Sequence, residues 1–383
     1  MMPFHMQAPS GHIFACTNKS EQECFDRMLF ATNRVYGENV LKIEKDDFLF
    51  LLNLDNDTLS GTFRAKSGGA RDIVPEAWNG RYPYQVQVLR NGTVHSLAGA
   101  KKVLSAMGVS WREILDGEQA HFLSQYIENP NGKIQVSKKK VEDKPRFAST
   151  TLWDFPRQSY GKTQKGSNKY AGVTPAFVIY NMVRRYTELG ELVLDPMAGS
   201  GTTLDVCKEE GRKCIAYDIS PTRSDINPND ARKIPLAESS VDMIFIDSPY
   251  GDNVDYNDHP KNIGKISAET DEFYLELEKV MAECHRVLKA GKVLGWLIGD
   301  QWVKKKFTPV GFYVYQSLNK YFDTVDIVCV ARRSQTSNTG IWHNRALRFN
   351  FYLRGFKYLF IMRKQAGLQT RKRNISWAHY PRD

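Results

Sequence analysis

Leu192-Val193-Leu194-Asp195-Pro196-Met197-Ala198-Gly199-Ser200-Gly201-Thr202-Thr203 reads as an apolar strand ending in an acid, a turn of small residues, and the start of a helix. That order is the strand, tight turn and helix of a nucleotide-binding α/β unit. Gly199 and Gly201 let the backbone turn sharply and approach a ligand closely. Cys214-Ile215-Ala216-Tyr217-Asp218 is a second strand closed by an acid. Asp218 falls roughly twenty residues past the glycines, where a carboxylate suits a ribose diol. Ser240 to Asp247 is a third buried strand, and it runs into Asp247-Ser248-Pro249-Tyr250-Gly251. A helix opens at Pro175 and runs to about Tyr186. Beyond Tyr250 the pattern predicts a helix from Asp271 to Leu288, stopped by Lys289-Ala290-Gly291, and a strand from Val293 to Ile298. A helix from Phe312 to Phe322 and strands at Val325–Ala331 and Phe356–Met362 complete the α/β alternation.

Asp195-Pro196-Met197-Ala198-Gly199-Ser200-Gly201-Thr202-Thr203 together with Asp247-Ser248-Pro249-Tyr250 resembles the amino-group DNA methyltransferases, over roughly residues 150–364. The resemblance implies a Rossmann-like, seven-stranded class I methyltransferase domain with an antiparallel final pair. It implies S-adenosylmethionine as cofactor and adenine N-6 or cytosine N-4 as the methylated amine. Asp247, Ser248, Pro249 and Tyr250 become the catalytic set. The Asp247 carboxylate and the Ser248 carbonyl would hold the amine protons, Pro249 would stiffen the turn, and Tyr250 would stack on a base taken out of the helix. Asp195, Pro196, Met197, Gly199, Gly201, Thr202 and Thr203 would cradle the cofactor, with Asp218 on the ribose and Asp230 near the adenine amine. Phe155, in Trp153-Asp154-Phe155-Pro156, and Thr174, in Thr174-Pro175, would wall its methionine end. The family commonly has proline where this chain has Ser248. A leading Asp points to adenine.

The chain has 383 residues, an apolar fraction of 42% and a net charge of +10. Length predicts two or three domains with sizeable cores. The positive balance predicts a polyanionic partner. DNA is the expected one and RNA the alternative. Lys304, Lys305, Arg332 and Arg333, with Trp342 and His343 in the long polar loop 332–348, are the candidate contacts to it. The six cysteines lack Cys-x-x-Cys spacing, which predicts reduced thiols. The loop Asp252 to Pro260 holds Asp and His without a fixed ligand pattern, so no metal is expected. No apolar run has the length of a membrane span and the first residues lack a secretory layout, so the expected location is cytoplasmic.

The first part of the chain differs. Gly11–Cys16 reads as a strand, Ser20 as the cap of a helix from Glu21 to Ala31, and Asp47–Asn53 and Leu59–Ala65 as strands joined through Asp55-Asn56-Asp57. Pro83–Val88 is a further strand, and the apolar positions between Leu97 and Tyr126 predict two or three short helices broken at Gly108 and Gly117. Cys16-Thr17-Asn18, Gly61, Phe63, Trp78 and Gln85 resemble the development-and-cell-death domain, related to PUA, ASCH and EVE-like modules, over roughly residues 10–90. This implies a small PUA-like β-barrel that reads nucleic acid. Trp78 is either a base-stacking residue or a core aromatic.

The expected organisation is a nucleic-acid-reading domain over 1–135, a linker over 136–149, a methyltransferase domain over 150–365 and a basic tail over 366–383. The function this supports is methylation of a base amine in DNA, as in restriction-modification enzymes. The alternatives are an RNA base methyltransferase and a non-catalytic nucleic-acid binder on a degenerate methyltransferase fold.

Overall fold

The computed structural model describes residues 9–130, 145, 147–155, 157–167, 172–252, 257–303, 305–332 and 340–365. The expected tail, 366–383, and all of the expected linker except 145 and 147–149 lie outside them. The chain divides into two compact units, Met1–Glu142 and Asp143–Asp383.

In the first unit the strands are β1 (Gly11–Cys16), β2 (Leu29–Thr32), β3 (Phe48–Asn53), β4 (Thr58–Ala65), β5 (Ala70–Arg71) and β6 (Tyr84–Ala98). The helices are α1 (Glu21–Arg27), α2 (Arg34–Val40), α3 (Ala100–Ala106) and α4 (Gly117–Glu128). The sheet order is β1-β3-β4-β6-β2, with β5 also on β6, and its two end strands approach each other without pairing. The expected barrel is thus a nearly closed sheet. β3 is buried along its whole length and separates two apolar clusters, one with Phe30 and Phe63, the other with α3 and α4.

The expected first helix is too long. It stops at Arg27, because Met28 takes a left-handed conformation (φ 46°) and its N–H returns to the carbonyls of Cys24 and Phe25. Leu29–Thr32 then leaves as β2, pairing antiparallel with β6. Ser20 does stand at the N-cap, but its hydroxyl accepts from Thr17 N–H (3.0 Å) and caps no helical N–H.

In the second unit the strands are β7 (Leu152–Trp153), β8 (Leu192–Asp195), β9 (Lys213–Asp218), β10 (Asn227–Pro228), β11 (Val241–Asp247), β12 (Leu288–Ile298), β13 (Gln301–Val303), β14 (Lys306–Thr308), β15 (Asp323–Ala331) and β16 (Phe356–Arg363). The helices are α5 (Ala176–Tyr186), α6 (Thr202–Glu209), α7 (Asp271–Val287), α8 (Val310–Leu318) and α9 (Gly340–Arg348). Among the described residues the main sheet has eight strands in the order β10-β9-β8-β11-β12-β16-β15-β7. β10 through β12 run parallel, and β16 lies antiparallel between β12 and β15. The eighth strand corrects the expected seven: Leu152 and Trp153 add a short parallel edge to β15.

The central strands are apolar without alternation because helices cover both faces. α7 and α8 pack on one side, α5 and α6 on the other. Two further corrections are local. β12 begins at Leu288, which pairs with Val241, so the chain passes from α7 into the sheet without the expected stop at Gly291. The expected loop 332–348 ends in a helix, α9; residues 333–339 lie outside the described set.

Gly37, inside α2, tests the packing of the first unit. Alanine normally stabilises a helix interior by about 1 kcal/mol relative to glycine. Here a Cβ would lie 2.5 Å from ring atoms of Tyr84, which is itself buried. Gly37→Ala is expected to destabilise the N-terminal unit by roughly 1–3 kcal/mol, measured by chemical denaturation. An unchanged or raised midpoint would contradict this packing.

Candidate active site

The parallel strands β8, β9 and β11 end in Asp195, Asp218 and Asp247. Parallel order brings their carboxyl ends to one edge of the sheet, where open α/β sheets bind ligands. After β8 the chain turns through Gly199 (φ 50°) and Gly201 (φ 80°), both in the left-handed region. Gly201 has a second reason to lack a side chain: a Cβ would lie 2.6 Å from the Arg223 guanidinium. Arg223 donates to both oxygens of Asp205 (2.8 and 2.9 Å) and fixes the first turn of α6.

Asp195 holds the turn from inside. Its Oδ1 accepts from Met197 N–H (3.1 Å) and its Oδ2 from the Thr203 hydroxyl (2.5 Å). Asp218 ties the same turn to β9, accepting from Gly199 N–H and Ser220 N–H, each at 2.9 Å. Burial raises its carboxyl above the ordinary value against the backbone N–H groups of Ser220, Gly199 and Ile219. These donors do not exhaust the roughly four lone-pair sites of a carboxylate, which leaves acceptor capacity for a hydroxyl of a diol.

One open cavity of about 880 Å³, counting solvent at its mouth, joins these groups. Of the expected residues it is lined by Thr174, Asp195, Pro196, Met197, Gly199, Thr202, Thr203, Asp218, Asp230, Asp247 and Pro249. Asn229, Lys261 and Asn262 join them, and no sequence motif marked these three. Phe155 is elsewhere: its ring stacks on Phe177 at 5.1 Å within the α5 side of the core. Asp230 is engaged by Arg232, which donates to both oxygens (2.8 and 2.7 Å) and also reaches Glu276 on α7. Burial pushes the Asp230 carboxyl up, but the Arg232 fork outweighs it and the net shift is downward.

Asp247, also in the lining, is the hub of a second set of contacts. Its Oδ2 accepts from the Thr174 hydroxyl (2.5 Å) and from Lys357 Nζ (3.0 Å), and its Oδ1 from the Tyr250 hydroxyl (3.1 Å). Lys357 comes from β16, is 8% exposed, and also sits 5.0 Å from the Tyr250 ring centroid. Sequence reading missed Lys357 because it is distant in the chain and lies in an apolar strand with no motif of its own. The Tyr250 ring is buried and its phenol is pushed well above its usual range, first by burial and then by Asp247. Ser248 is buried, and its hydroxyl accepts from Trp296 Nε1 (3.0 Å). That bond braces the turn at Ser248. Gly251 (φ 123°) closes it, and a Cβ there would lie 2.4 Å from Gln301 Nε2.

The expected nucleic-acid contacts separate. Trp78 is buried in the core of the first unit, with its indole N–H directed at the Ser20 carbonyl (3.4 Å). Trp342 and His343 are exposed on α9, Lys305 is exposed beside β14, and Arg332 is half-buried. Lys304 and Arg333 lie outside the described residues. Among the described residues no cluster of three or more potential metal ligands forms, and no helix is long and apolar enough to cross a membrane.

A sheet covered by helices on both faces, with a glycine turn and three strand-end acids around one cavity, is the architecture of an α/β domain with a ligand site at its sheet edge. Comparison with known proteins narrows the class. Residues 98–228 match the DNA methylase family model, and residues 10–107 match the development and cell death domain model. The methylase match covers the glycine turn and Asp218 and ends before Asp247. The B2 protein of Daucus carota is 37% identical over 86 residues, 21% of this chain and 42% of that protein. The type II methyltransferase M.MjaII of Methanocaldococcus jannaschii is 24% identical over 160 residues, 40% of this chain and 30% of that protein. The chain therefore spans less than half the length of these curated relatives. A solved structure of a candidate DNA modification methylase from Thermus thermophilus, complexed with S-adenosyl-L-methionine, is 22% identical, covering 38% of this chain and 57% of that chain with a TM-score of 0.27.

The buried Asp195 predicts a pH signature. Burial pushes its carboxyl from 3.8 up to about 7, against Thr203 and Met197 N–H. A carboxyl with a raised folded-state value favours the fold only while protonated, so stability falls as pH rises from the unfolded value through the folded one. Asp195→Asn cannot ionise and is expected to gain stability relative to the native chain across the window 3.8 to about 7. Thermal denaturation of both proteins over that window checks it; a constant difference would contradict the burial of a titrating Asp195.

Proposed function

We propose that the chain is an S-adenosylmethionine-dependent methyltransferase acting on the exocyclic amine of a nucleic-acid base, adenine or cytosine, in DNA. The observation that carries the reading is one cavity lined together by the glycine turn, Asp218 and Asp247. The DNA methylase match over 98–228 supports it, as do the relatives named as type II methyltransferases.

The residues fit the cofactor by their chemistry. Asp218 offers acceptor capacity for a ribose diol, and the side-chain-free turn at Gly199 leaves room for close approach. When bound, S-adenosylmethionine supplies an electrophilic methyl group on a sulfonium. The exocyclic amine is a poor nucleophile because its lone pair is delocalised into the ring. In this reading Asp247 accepts an amine N–H and takes the proton that the amine loses when its new N–C bond forms. Thr174, Lys357 and Tyr250 fix that carboxylate from three sides, so little of its orientation is left to be restricted on substrate binding. Lys357 is thus a positioning residue. Because the Tyr250 ring is buried with its hydroxyl on Asp247, Tyr250 serves first to orient the carboxylate, and stacking on an extruded base requires it to rotate outward. The N-terminal unit contributes affinity for the nucleic acid and no chemistry.

Asp247→Ala is expected to abolish turnover while leaving cofactor affinity nearly unchanged, because the carboxylate acts on the amine as charge develops. Single-turnover assays with labelled donor on DNA and RNA, with product bases identified by mass spectrometry, test this. An active Asp247→Ala protein would sink the mechanism. Asp218→Ala should weaken donor binding by roughly 1–3 kcal/mol in calorimetry.

The orienting role makes two finer predictions. Tyr250→Phe, which keeps the ring and loses the hydroxyl, should lower the catalytic rate nearly as much as Tyr250→Ala; a Phe variant with native rate would favour stacking alone. Lys357→Met should depress the rate at saturating substrate without changing donor affinity, and Lys357→Arg should recover part of it.

A further inference from the structure

Around the Asp247 turn the second unit carries an aromatic and basic surface that the chemistry above does not use. The hairpin β13–β14 packs on the segment between α9 and β16: Trp302 stacks on Phe351 at 5.7 Å, and the Arg354 guanidinium lies 5.0 Å from the Phe307 ring centroid. On α9 and just after it, Arg345 covers Trp342 and Arg348 covers Phe349. These rings face solvent: Trp342 is 43% exposed, Phe349 60% and Tyr352 83%. From Ile327 to Arg382 the sequence contains no Asp or Glu. The surface adjoins the catalytic turn at two points. Gln301, the first residue of β13, stands against Gly251, and its buried Nε2 has no hydrogen-bond partner among the described residues. Phe356, the first residue of β16, immediately precedes Lys357.

We propose that β13–β14, α9 and the segment up to Phe356 form a stacking platform for single-stranded nucleic acid that leads an unpaired base toward Asp247. It deepens the reading above and rests on it for that last step. Exposed rings interleaved with arginines match a strand that offers base faces and phosphates together. A duplex keeps its base faces stacked inside and would meet only the arginines. A second copy of the chain would set Arg345, Arg348 and Arg354 against the same charges with no carboxylate in this stretch to answer them. The platform removes part of the cost of extruding a base, because an unpaired base is already accessible.

The test uses the full chain and fluorescein-labelled oligonucleotides of one sequence as single-stranded DNA, single-stranded RNA and duplex DNA, followed by anisotropy. One or both single strands should bind at least roughly tenfold more tightly than the duplex. Trp342→Ala and Tyr352→Ala, both at exposed rings, should each weaken single-strand binding by roughly tenfold while donor binding stays native. Arg345→Gln with Arg348→Gln should lower the salt dependence of binding by about one phosphate contact per residue. Duplex binding as tight as single-strand binding, or native affinity in both aromatic variants, would overturn the proposal. So would self-association in sedimentation that the same variants abolish. Binding is read without turnover, so a platform that binds single strands in a protein that methylates no base would uphold this proposal and defeat the proposed chemistry. Methylation with no preference for single strands would do the reverse.

Discussion

A carboxylate with almost no access to water anchors the second unit. Asp195 closes β8 and holds Met197 N–H and the Thr203 hydroxyl at once. Burying an ionisable group is costly unless its hydrogen bonds are satisfied, and here they are satisfied by the turn and helix that the strand must lead into. Strand, turn and α6 are therefore locked as one piece. Asp218 adds the link to β9 through Gly199 N–H, and Arg223 adds the link to α6 through Asp205. Gly199 lines the cavity at this turn, while Gly201 leaves room for the Arg223 side chain behind it.

The same logic, differently populated, builds the surroundings of Asp247. It also closes a parallel strand, but two of its three partners come from distant places, Thr174 before α5 and Lys357 in β16, and the third, Tyr250, lies three residues on. The antiparallel insertion of β16 beside β12 is what delivers the lysine. Ser248 shows how a departure from a common motif is absorbed. Trp296, on the neighbouring strand β12, supplies the hydrogen bond that steadies the turn.

The first unit was legible in its strands and less so in its joints. Gly11–Cys16, Phe48–Asn53 and Thr58–Ala65 stand out as strands by their apolar content. Leu29–Thr32 did not, because nothing in Arg27-Met28-Leu29 marks a break; the left-handed turn at Met28 is imposed by pairing with β6. Trp78 was ambiguous for a similar reason, since an indole suits a core and a stacking surface equally, and only its burial beside Ser20 and Glu23 distinguishes them.

What the sequence by itself determined is the local chemistry: the acid-ended strands, the two glycines that need positive φ, and the Asp247–Gly251 turn. These are properties of residues adjacent in the chain, where conformational preference and spacing act directly. Only the tertiary structure decided which side chains meet. It joined the glycine turn and Asp247 through one cavity, set Lys357 and Thr174 on the same carboxylate, committed Asp230 to Arg232, turned Phe155 onto Phe177 and buried the ring of Tyr250. The meeting of Lys357 and Thr174 on Asp247 depends on strand order and on residues far apart in the chain, and even the short-range choices of Asp230, Phe155 and Tyr250 are decided by the surrounding packing, about which periodicity and motif spacing carry no information.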